Sequence, residues 1–472
     1  MEKYAFNGNI LIIGCGSIGQ GVIPLLLKHF SVTPDRITIV TADPRGEEVA
    51  KEYGIRFIID PLKPHNHQDI VKQHIGPGDF LLNVSVDVSS AALIEYCQRN
   101  GILYLDTVIE PWPGTYTDPK LSISQRSNYA LREEALKLRT LFGIDEPRPT
   151  AVLAHGANPG LVSHFVKQAL LNIAADTGVK TETPTSRVEW ARLAKDLGIK
   201  TIHIAERDTQ VSPVPKKIGE FVNTWSIDGF HSESCQPSEM GWGTHEKKLP
   251  EDGKEHDFGC GSAIYLEQPS FLTKTRSWTP IAQSQEAWIV THHESISIAD
   301  YLTERDGDTV VYRPTVHYAY HPCDGAVLSL DELASNNGEL QKEQRLIGAD
   351  ILPGGVDELG VLLMGHEKNA YWYGSRLSID EARKAAPHNN ATGLQVTASI
   401  IGAMQWAMEN PTRGIVDADE IDHELLMDVA RPYLGEILGV YTDWTPIKGR
   451  GVLFPEKFDA TDPWQFENFR VS

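Results

Sequence analysis

The first third of the chain alternates short apolar runs with segments that have helical hydrophobic spacing. The apolar runs, which we predict to be buried strands, are Ile10–Ile13, Ile37–Val40, Phe57–Ile59, Phe80–Val84, Leu103–Leu105 and Ala151–Ala154. The segments between them, which we predict to be helices, include Gly19–His29, Glu47–Tyr53 and Ser90–Asn100. Strands and helices that alternate at this spacing predict a doubly wound parallel sheet with right-handed crossovers.

After Asn158 the pattern becomes β-rich, with many aromatic residues and turn signals. A helix at Leu161–Ala175 and a short helix around Val188–Leu197 precede the predicted strands Val222–Ile227, Ala263–Leu266, Ala287–Val290, Val310–Tyr312 and Val316–Tyr320. These elements predict an α+β second domain built on a mixed or antiparallel sheet. We expect a nucleotide domain at 1–157, completed by a long helix near 391–410, a second domain at 158–390 and a C-terminal extension at 411–472.

Composition and charge narrow the class of protein. The chain has 472 residues, too many for one compact core, and a formal net charge of −21. Nucleic acid is an improbable partner for so acidic a chain, whereas a cationic small molecule would be attracted to it. The five cysteines are scattered and form no CxxC pair, which favours a reducing cytoplasm over a disulfide framework. The uncharged stretch Tyr4–Leu27 is interrupted by glycines and polar residues, so we predict no membrane span there.

The sharpest local motif is Gly14-Cys15-Gly16-Ser17-Ile18-Gly19, which follows the first predicted strand and opens a helix. In dinucleotide-binding folds of the Rossmann type, the first glycine permits a tight turn and the second lets the backbone approach a pyrophosphate. The third glycine allows close packing of helix on strand. The pyrophosphate then lies against free N–H groups at the positive end of the helix. A structural glycine turn or a methyltransferase remains an alternative.

An acidic residue beyond the second predicted strand indicates which dinucleotide is bound. Asp43 can accept hydrogen bonds from ribose hydroxyls and would repel a 2′-phosphate, so NAD is favoured over NADP. Arg45 lies nearby and could weaken that preference.

Several further segments are more specific than the glycine turn. They are Asn83-Val84-Ser85-Val86-Asp87, Asp106-Thr107-Val108-Ile109-Glu110-Pro111-Trp112, Gly156-Ala157-Asn158-Pro159-Gly160, Ala205-Glu206-Arg207-Asp208-Thr209-Gln210, Asn223-Thr224-Trp225-Ser226, Thr291-His292-His293-Glu294-Ser295, Asn369-Ala370-Tyr371-Trp372-Tyr373-Gly374 and Tyr441-Thr442-Asp443-Trp444-Thr445-Pro446. Together they resemble the bacterial homospermidine synthases, which are relatives of the saccharopine-type reductases. The resemblance extends from Gly14 to the Asp462-Pro463-Trp464 end.

The resemblance implies a redox-neutral reaction on a short diamine. Two putrescine molecules, or putrescine and spermidine, would give homospermidine and release ammonia or 1,3-diaminopropane. An imine would form on the way, and NAD would be reduced and reoxidised within one turnover. The resemblance also implies a homodimer, the commonest symmetric assembly.

The resemblance further implies a set of site residues. The candidates for the substrate site are Asp87, Glu110, Asn158, Glu206, Trp225, Glu233, His292 and Glu294, and those for the cofactor are Gly14, Gly16, Ser17, Ile18, Gly19, Asp43, Ser85, Thr107 and Asn158. Carboxylates would hold the ammonium groups of a diamine, and an indole face attracts a cation by about 2 kcal/mol when the pair is desolvated. A dry pocket would protect the imine from hydrolysis.

Each acidic candidate also has a structural interpretation. Asp87 and Glu110 follow apolar strands, at the end of a parallel sheet where ligands bind, but they could be loop acids or helix caps. Glu206 could pair with an arginine, and Glu233 lies in a polar segment that could be solvated surface. Trp225 lies inside a strand-like apolar run, where a tryptophan is ordinarily part of the core.

The candidate proton carrier is His292, because imidazole titrates near neutral pH. His292 and His293 would face opposite sides of a strand, so we predict no metal site there. Asn158 could bind the nicotinamide carboxamide or the substrate, or it could cap the helix that follows. The cluster of His317, His321 and Cys323 is predicted to be structural.

Two other functions remain open at this point. A saccharopine-type or carboxynorspermidine-type reductase would reduce an imine made from an amino acid, and its carboxylate would call for an arginine such as Arg207, Arg276 or Arg313. A non-catalytic NAD-binding protein that senses redox state belongs to a different class.

Overall fold

The computed structural model describes residues 3–143 and 146–471. The described residues divide into two compact units, which are treated separately below. Unit 1 lies within Met1–Leu161 and Leu377–Gly435, and unit 2 lies within Val162–Arg376 and Glu436–Ser472.

The first segment of unit 1 alternates strands with helices. In chain order its elements are β1 Ile10–Ile13, α1 Ser17–His29, β2 Ile37–Thr41, α2 Glu47–Glu52, β3 Arg56–Ile59, α3 His67–His74, β4 Phe80–Asn83, α4 Ser90–Asn100, β5 Leu103–Asp106, α5 Asn128–Phe142 and β6 Arg148–Leu153. Short 3-10 helices occur along the chain at Pro34–Arg36, Thr115–Thr117, Ser124–Arg126, Ser270–Leu272, Ala418–Glu420 and Arg431–Tyr433.

The long middle segment is mostly β-structure. Its elements are α6 Leu161–Thr177, α7 Arg187–Asp196, β7 Thr201–Asp208, β8 Glu220–Asn223, α8 Ile227–Cys235, β9 Pro237–Gly241, β10 Gly253–Glu255, β11 Ala263–Pro269, β12 Lys274–Thr279, β13 Gln283–Val290, α9 His293–Tyr301, β14 Glu304–Asp306, β15 Thr309–Tyr312, β16 Thr315–His321, α10 Asp324–Ser335, β17 Glu343–Leu346, β18 Val356–Met364 and β19 Ala370–Ser378. The remaining elements are α11 Ile379–Ala385, α12 Ala391–Glu409, β20 Arg413–Asp417, α13 His423–Ala430, β21 Glu436–Thr442, α14 Phe466–Phe469 and β22 Arg470–Val471.

Unit 1 is built on a seven-stranded parallel sheet with the order β20-β6-β5-β4-β1-β2-β3. In its register, Ile13 at the end of β1 lies opposite Val40 and Asn83, and Asn83 lies opposite Asp106. The carboxyl ends of β1, β4 and β5 therefore align at one edge, which is where α/β sheets bind ligands. The predicted doubly wound parallel sheet is confirmed.

The second segment of unit 1 is longer than the single returning helix that we predict from the sequence. The helix α12 packs against α1, and β20 extends the sheet by pairing with β6. Residues 377–390 and 411–435 therefore belong to unit 1 here, whereas the sequence assigns them to the second domain and to a C-terminal extension. The pairing of β20 with a strand far away in the chain leaves no local pattern in the sequence.

Unit 2 contains a sheet of eleven strands. The sheet is mixed, which confirms the predicted mixed or antiparallel sheet. Its main path is β10-β11-β9-β16-β7-β18-β19-β21, and β13 pairs with β16 while β12 pairs with β13 and β22. The central neighbours β7 and β16 are parallel, whereas β18 runs antiparallel to β7. Strands β14 and β15 form a separate pair, as do β17 and β8.

The two faces of β7 and β16 carry different chemistry, because successive side chains of a strand point to opposite sides. One face bears Glu206, Asp208 and two tyrosines, which are described below. The other face belongs to the core, where the rings of His203 and His317 lie 4.1 Å apart and Phe469 packs against His203 at 4.8 Å. Burial lowers the pKa of His317 to about 3, so this imidazole pair is neutral and structural.

In the described parts of the chain, no helix combines the length and the apolar character needed to cross a membrane.

Candidate active site

The glycine turn of unit 1 has the geometry that a pyrophosphate requires. Gly14 has φ +91°, and a Cβ atom placed there would lie 2.9 Å from the Val84 carbonyl oxygen. A Cβ on Gly19 would lie 2.7 Å from the Gly14 oxygen, so helix and strand are in close contact. A Cβ on Gly16 would meet no atom within 4 Å. The first and third glycines are thus required by the fold, and the second keeps a space open.

The beginning of α1 offers free donors to an anion. The helix starts at Ser17, its N-cap Gly16 has no side chain to cap it, and its first turn contains no acidic residue. N–H groups at such a terminus attract a phosphate through both hydrogen bonds and the helix dipole. The segment that contains the predicted residues Gly14, Gly16, Ser17, Ile18 and Gly19 could therefore hold the pyrophosphate of a dinucleotide.

Asp43 lies just beyond β2, where a carboxylate that binds the ribose hydroxyls is expected. Its carboxylate is about one-third exposed and accepts hydrogen bonds from Arg45 Nε at 3.0 Å and Nη2 at 2.7 Å. These side-chain hydrogen bonds lower the pKa of Asp43, so the group is ionised at neutral pH. The same contacts hold Arg45 beside the carboxylate, where it partly offsets the negative charge.

A buried polar network that the sequence analysis missed fixes the ends of β4 and β5. Asn83 Oδ1 accepts a hydrogen bond from Ser85 Oγ at 2.6 Å, and Asn83 Nδ2 donates to Tyr104 OH at 3.4 Å. Tyr104 OH in turn donates to Asp106 Oδ2 at 2.7 Å, while Asp106 Oδ1 accepts from the Ala154 N–H at 2.6 Å. The network ties the loop with Ser85 to the strands that precede Thr107 and Asn158.

The remaining unit 1 candidates lie on loops that follow these strands. Asp87 is exposed and has φ +62°, in the turn before α4. Glu110 is 8% exposed, and its N–H donates to Ser90 Oγ at 3.1 Å, which ties its loop to the start of α4. Asn158 is partly exposed and precedes Pro159 through a cis peptide bond. A Cβ on Gly156 would lie 3.7 Å from Thr107 Cβ, so these two loops are in contact.

In unit 2, His292 joins two of the predicted acids. It occupies the N-cap position of α9, where Nε2 lies 3.0 Å from Glu233 Oε2 and Nδ1 lies 3.2 Å from Glu294 Oε1. Burial lowers the pKa of His292, but the charges and hydrogen bonds of the two carboxylates together raise it well above 6.5. The ring is therefore an imidazolium at neutral pH.

Two tyrosines connect this trio to the other candidates. The Tyr318 ring lies 4.5 Å from the His292 ring, and its OH donates to Glu206 Oε2 at 2.5 Å. Tyr320 stacks on Tyr318 at 5.3 Å and accepts a hydrogen bond from Trp225 Nε1 at 3.2 Å. We name the connected set the carboxylate–aromatic cluster, which consists of Glu206, Trp225, Glu233, His292, Glu294, Tyr318 and Tyr320.

Two local expectations in unit 2 are wrong, and one open alternative loses support. Trp225 is not inside a strand, because β8 ends at Asn223 and the partly exposed indole sits in the loop before α8. The alternative that Glu233 is solvated surface loses support, because Glu233 lies on α8 and contacts His292. His292 precedes a helix and does not lie on a strand, so the argument that His292 and His293 face opposite sides does not apply. Within residues 3–143 and 146–471, no three metal-binding side chains are grouped around a common point.

The raised pKa of His292 predicts a pH dependence of stability. A histidine whose folded pKa exceeds its unfolded value of about 6.5 stabilises the native state fully below that pH. The stabilisation is lost as the pH rises from 6.5 through the folded pKa. We therefore expect the melting temperature of the wild type to fall more steeply above neutral pH than that of His292→Gln, as measured by thermal unfolding in a buffer series. Parallel curves would show that the imidazolium makes no such contribution.

Family models match the two parts of the chain in order. The saccharopine dehydrogenase NADP binding domain matches residues 10–152, and the saccharopine dehydrogenase C-terminal domain matches residues 156–443. The nucleotide motif and the β-rich region thus occur together in a known arrangement.

Curated proteins and a solved structure resemble the chain over almost its whole length. Homospermidine synthase of Blastochloris viridis is 52% identical and covers 99% of this chain and 98% of its own. Homospermidine synthase of Mesorhizobium japonicum is 49% identical and covers 98% of this chain and 96% of its own. The crystal structure of homospermidine synthase from Legionella pneumophila, in complex with NAD, is 48% identical, with a TM-score of 0.93 over 100% of this chain and 99% of that chain.

Proposed function

The chain belongs to the homospermidine synthase family, and on that basis we propose that it converts two putrescine molecules to homospermidine and ammonia with NAD as its cofactor. Identity of about half of the residues over nearly the full length of the named relatives carries this proposal. Spermidine would serve as an alternative donor, with release of 1,3-diaminopropane.

The cluster in unit 2 suits a substrate with two ammonium groups. Glu206, Glu233 and Glu294 supply carboxylates within one connected group, and each is buried or half-buried. Glu294 Oε2 is buried and accepts no hydrogen bond from the described residues, which leaves it available to a substrate ammonium. A buried acceptor without a donor costs roughly 1–3 kcal/mol, and an ammonium would remove that cost.

The reaction requires proton transfers that the cluster can perform. The reacting amine of putrescine is protonated in water and must lose a proton before it can be oxidised to the imine. Glu206 accepts a hydrogen bond from Tyr318, and His292 is hydrogen-bonded to Glu233 and Glu294, so we propose that Glu206 takes up a proton and that His292 exchanges one with its two carboxylates. When bound, NAD supplies hydride acceptance and hydride return. The second amine then attacks the imine carbon, and a proton moves from the incoming nitrogen to the departing one, which leaves as ammonia with the electrons of its bond to carbon. The new imine is then reduced by the returned hydride.

Trp225 completes the cluster as the face for a cation. Its indole N–H is directed to Tyr320 OH, which fixes the ring edge and leaves part of the ring exposed. We propose that this face holds the cationic intermediate while ammonia is exchanged for the second amine. In unit 1, we propose that Asp87, Glu110 and Asn158 act on the substrate and that Ser85 and Thr107 contact the cofactor.

The two rival functions are not favoured. A reductase of amino-acid imines needs an arginine for the substrate carboxylate. In this structure Arg276 donates to the Arg470 carbonyl at 2.6 Å, Arg207 lies 3.6 Å from Asp324, and Arg313 donates to the Gly261 carbonyl. A purely NAD-sensing protein would have no use for the carboxylate–aromatic cluster.

The deciding experiment is incubation of the purified protein with putrescine and a catalytic amount of NAD, followed by mass spectrometry. Putrescine deuterated at the reacting carbon should yield homospermidine that retains the transferred deuterium, with ammonia and without net NADH. Steady accumulation of NADH without a triamine would show a simple amine dehydrogenase. A reaction without NAD serves as the control.

We further propose that the chain acts as a homodimer in the cytoplasm. An exposed apolar loop supports the dimer: Val452, Leu453 and Phe454 are 78%, 87% and 78% exposed. Three adjacent large apolar side chains in water are typical of an interface. All five cysteines are free thiols, which suits a reducing compartment.

Sedimentation analysis of Leu453→Asp tests the dimer. Burial of a leucine stabilises an interface by roughly 1.5–3 kcal/mol, so the charged variant should weaken association at least about tenfold. Ile218→Asp is the matched control, since Ile218 is 98% exposed and is flanked by Lys217 and Gly219. A wild type that is monomeric at micromolar concentration, or equal effects of the two substitutions, would contradict this assignment of the loop.

A further inference from the structure

The loop that carries Trp225 is anchored by a buried carboxylate outside the cluster. Asp208 is the last residue of β7, two positions beyond Glu206 on the same face of the strand, and it is fully buried. Its Oδ2 accepts a hydrogen bond from Thr224 Oγ1 at 2.7 Å. Thr224 is 1% exposed and directly precedes Trp225 in the chain. The position of the indole is thus tied to the strand that carries Glu206.

The other oxygen of Asp208 holds the carboxylate itself in place. Oδ1 accepts hydrogen bonds from the Gln210 N–H at 2.8 Å and from Gln210 Nε2 at 3.2 Å. Burial raises the pKa of Asp208 to about 6, and its hydrogen bonds oppose that rise. Burial of a carboxylate costs free energy, even when three donors bind it. Its presence here therefore indicates that its hydrogen-bond geometry has a role.

The indole makes further contacts, but they do not fix the distance of the loop from β7. Asn223 Nδ2 donates to the Trp225 carbonyl at 3.1 Å, and Trp225 Nε1 donates to Tyr320 OH at 3.2 Å. Phe230 packs against the indole with ring centroids 5.0 Å apart. Each of these contacts moves with the loop or allows the ring to pivot about its N–H. The hydrogen bond to Tyr320 ties the ring edge to β16, and the Thr224–Asp208 hydrogen bond ties the residue before the indole to β7.

We propose that Asp208 and Thr224 are positioning residues that hold the Trp225 indole against the cationic imine and so keep that intermediate from escaping to water. The inference rests on the proposed function. Neither residue needs to touch the substrate, because both act through the indole. Displacement of a positioned group by about 1 Å can cost up to about a hundredfold in rate, so a loop that loses this link should be detectable in kinetics.

Loss of the link should change the products as well as the rate. Putrescine oxidation transfers a hydride to NAD and gives a protonated imine. An imine that escapes takes up water, releases ammonium and becomes 4-aminobutanal, while the NADH is left behind. The ratio of NADH and aminoaldehyde to homospermidine therefore reports escape of the intermediate. A general loss of folded protein lowers both products equally and leaves this ratio unchanged.

The test compares Thr224→Val with Thr224→Ser. Valine has the shape of threonine without the hydroxyl, so we expect about a tenfold rise in the ratio of aminoaldehyde to homospermidine and a lower kcat. Serine keeps the hydroxyl and should restore most of the wild-type ratio. In the Trp225→Ala background, Thr224→Val should cause no further change in the ratio, because the residue acts through the indole.

The wild-type ratio in a folded Thr224→Val variant would overturn the inference, as would a further rise in the Trp225→Ala background. If Thr224→Val does not fold, Thr224→Ala removes the same hydroxyl and is compared with Thr224→Ser in the same way. A wild type that forms homospermidine while these variants keep its product ratio refutes the positioning role alone. A wild type that forms no triamine refutes the proposed function itself.

Discussion

The Gly16→Val variant should bind NAD at least about a hundredfold more weakly than the wild type, which corresponds to about 2.7 kcal/mol. A side chain at this position meets no protein atom within 4 Å, so it would occupy only the space through which the backbone approaches a pyrophosphate. The backbone of Gly16, at φ −69° and ψ −158°, is extended and does not require a positive φ. Calorimetric titration would measure the affinity for NAD, and thermal unfolding would separately measure the stability of the variant.

The stability of Gly16→Val should change little. Valine is a poorer N-cap residue than glycine by up to about 1 kcal/mol, or about 2–4 °C in melting temperature for a domain of this size. Gly76→Val is the matched control, since a Cβ at Gly76 also meets nothing within 4 Å and lies away from the glycine turn. Wild-type affinity in Gly16→Val would show that the turn is structural only. Gly14→Ala should instead destabilise the fold, because its Cβ contacts the Val84 oxygen.

The Trp225→Ala variant should lose about thirtyfold in turnover, since a desolvated cation over an indole gains about 2 kcal/mol and 1.4 kcal/mol corresponds to a factor of ten. Trp225→Phe should recover part of this loss, because phenylalanine keeps a ring face but loses the hydrogen bond to Tyr320. Steady-state and single-turnover rates on putrescine would give the values. The partly exposed indole makes folding less sensitive than turnover.

A second tryptophan provides the control for that experiment. Trp242 is also partly exposed in unit 2, and its ring packs against Phe466 with centroids 5.9 Å apart. Trp242→Ala should lower the melting temperature while the remaining folded protein keeps its turnover. Equal losses of turnover in the two variants would remove the special role of the Trp225 face.

The sequence alone predicts those parts of the site whose residues directly follow a recognisable strand. In unit 1, each candidate comes at the end of a strand, and the strands are visible as apolar runs such as Ile10–Ile13 and Phe80–Val84. Parallel strands that alternate with helices place these ends at one edge by topology alone. The glycine turn and Asp43, the carboxylate expected to bind the ribose, could therefore be located from the sequence alone.

The cluster in unit 2 could not be assembled in this way. Tyr318 lies 112 residues from Glu206, and His292 lies 59 residues from Glu233, so only the register of distant elements brings them together. The alternation of Val316, Tyr318 and Tyr320 with histidines and alanine indicates that the tyrosines share a face, but it does not indicate which face. The resemblance to a known family supplied the members of the cluster except for the two tyrosines.

The error at Trp225 has a local cause. The apolar residues Val222 and Ile227 on either side suggest a continuous strand, but Ser226 between them is a helix cap. Its side chain accepts a hydrogen bond from the Gly229 N–H at 3.1 Å and starts α8. A serine before an apolar residue is a known start signal, and here it begins a helix directly after Trp225, which leaves the tryptophan in the short loop between β8 and α8.

Because unit 1 is formed by two segments that are separated in the chain, its parts are synthesised at different times. The sheet of unit 1 gains its edge strand β20 only after the whole of 162–376 has been made. At a translation rate of about 5–20 residues per second, the first six strands wait on the order of 10–40 s for their last partner. During that interval the exposed edge of β6 offers unpaired N–H and C=O groups to other chains. Production in a host with ample chaperone capacity should therefore raise the yield of soluble protein.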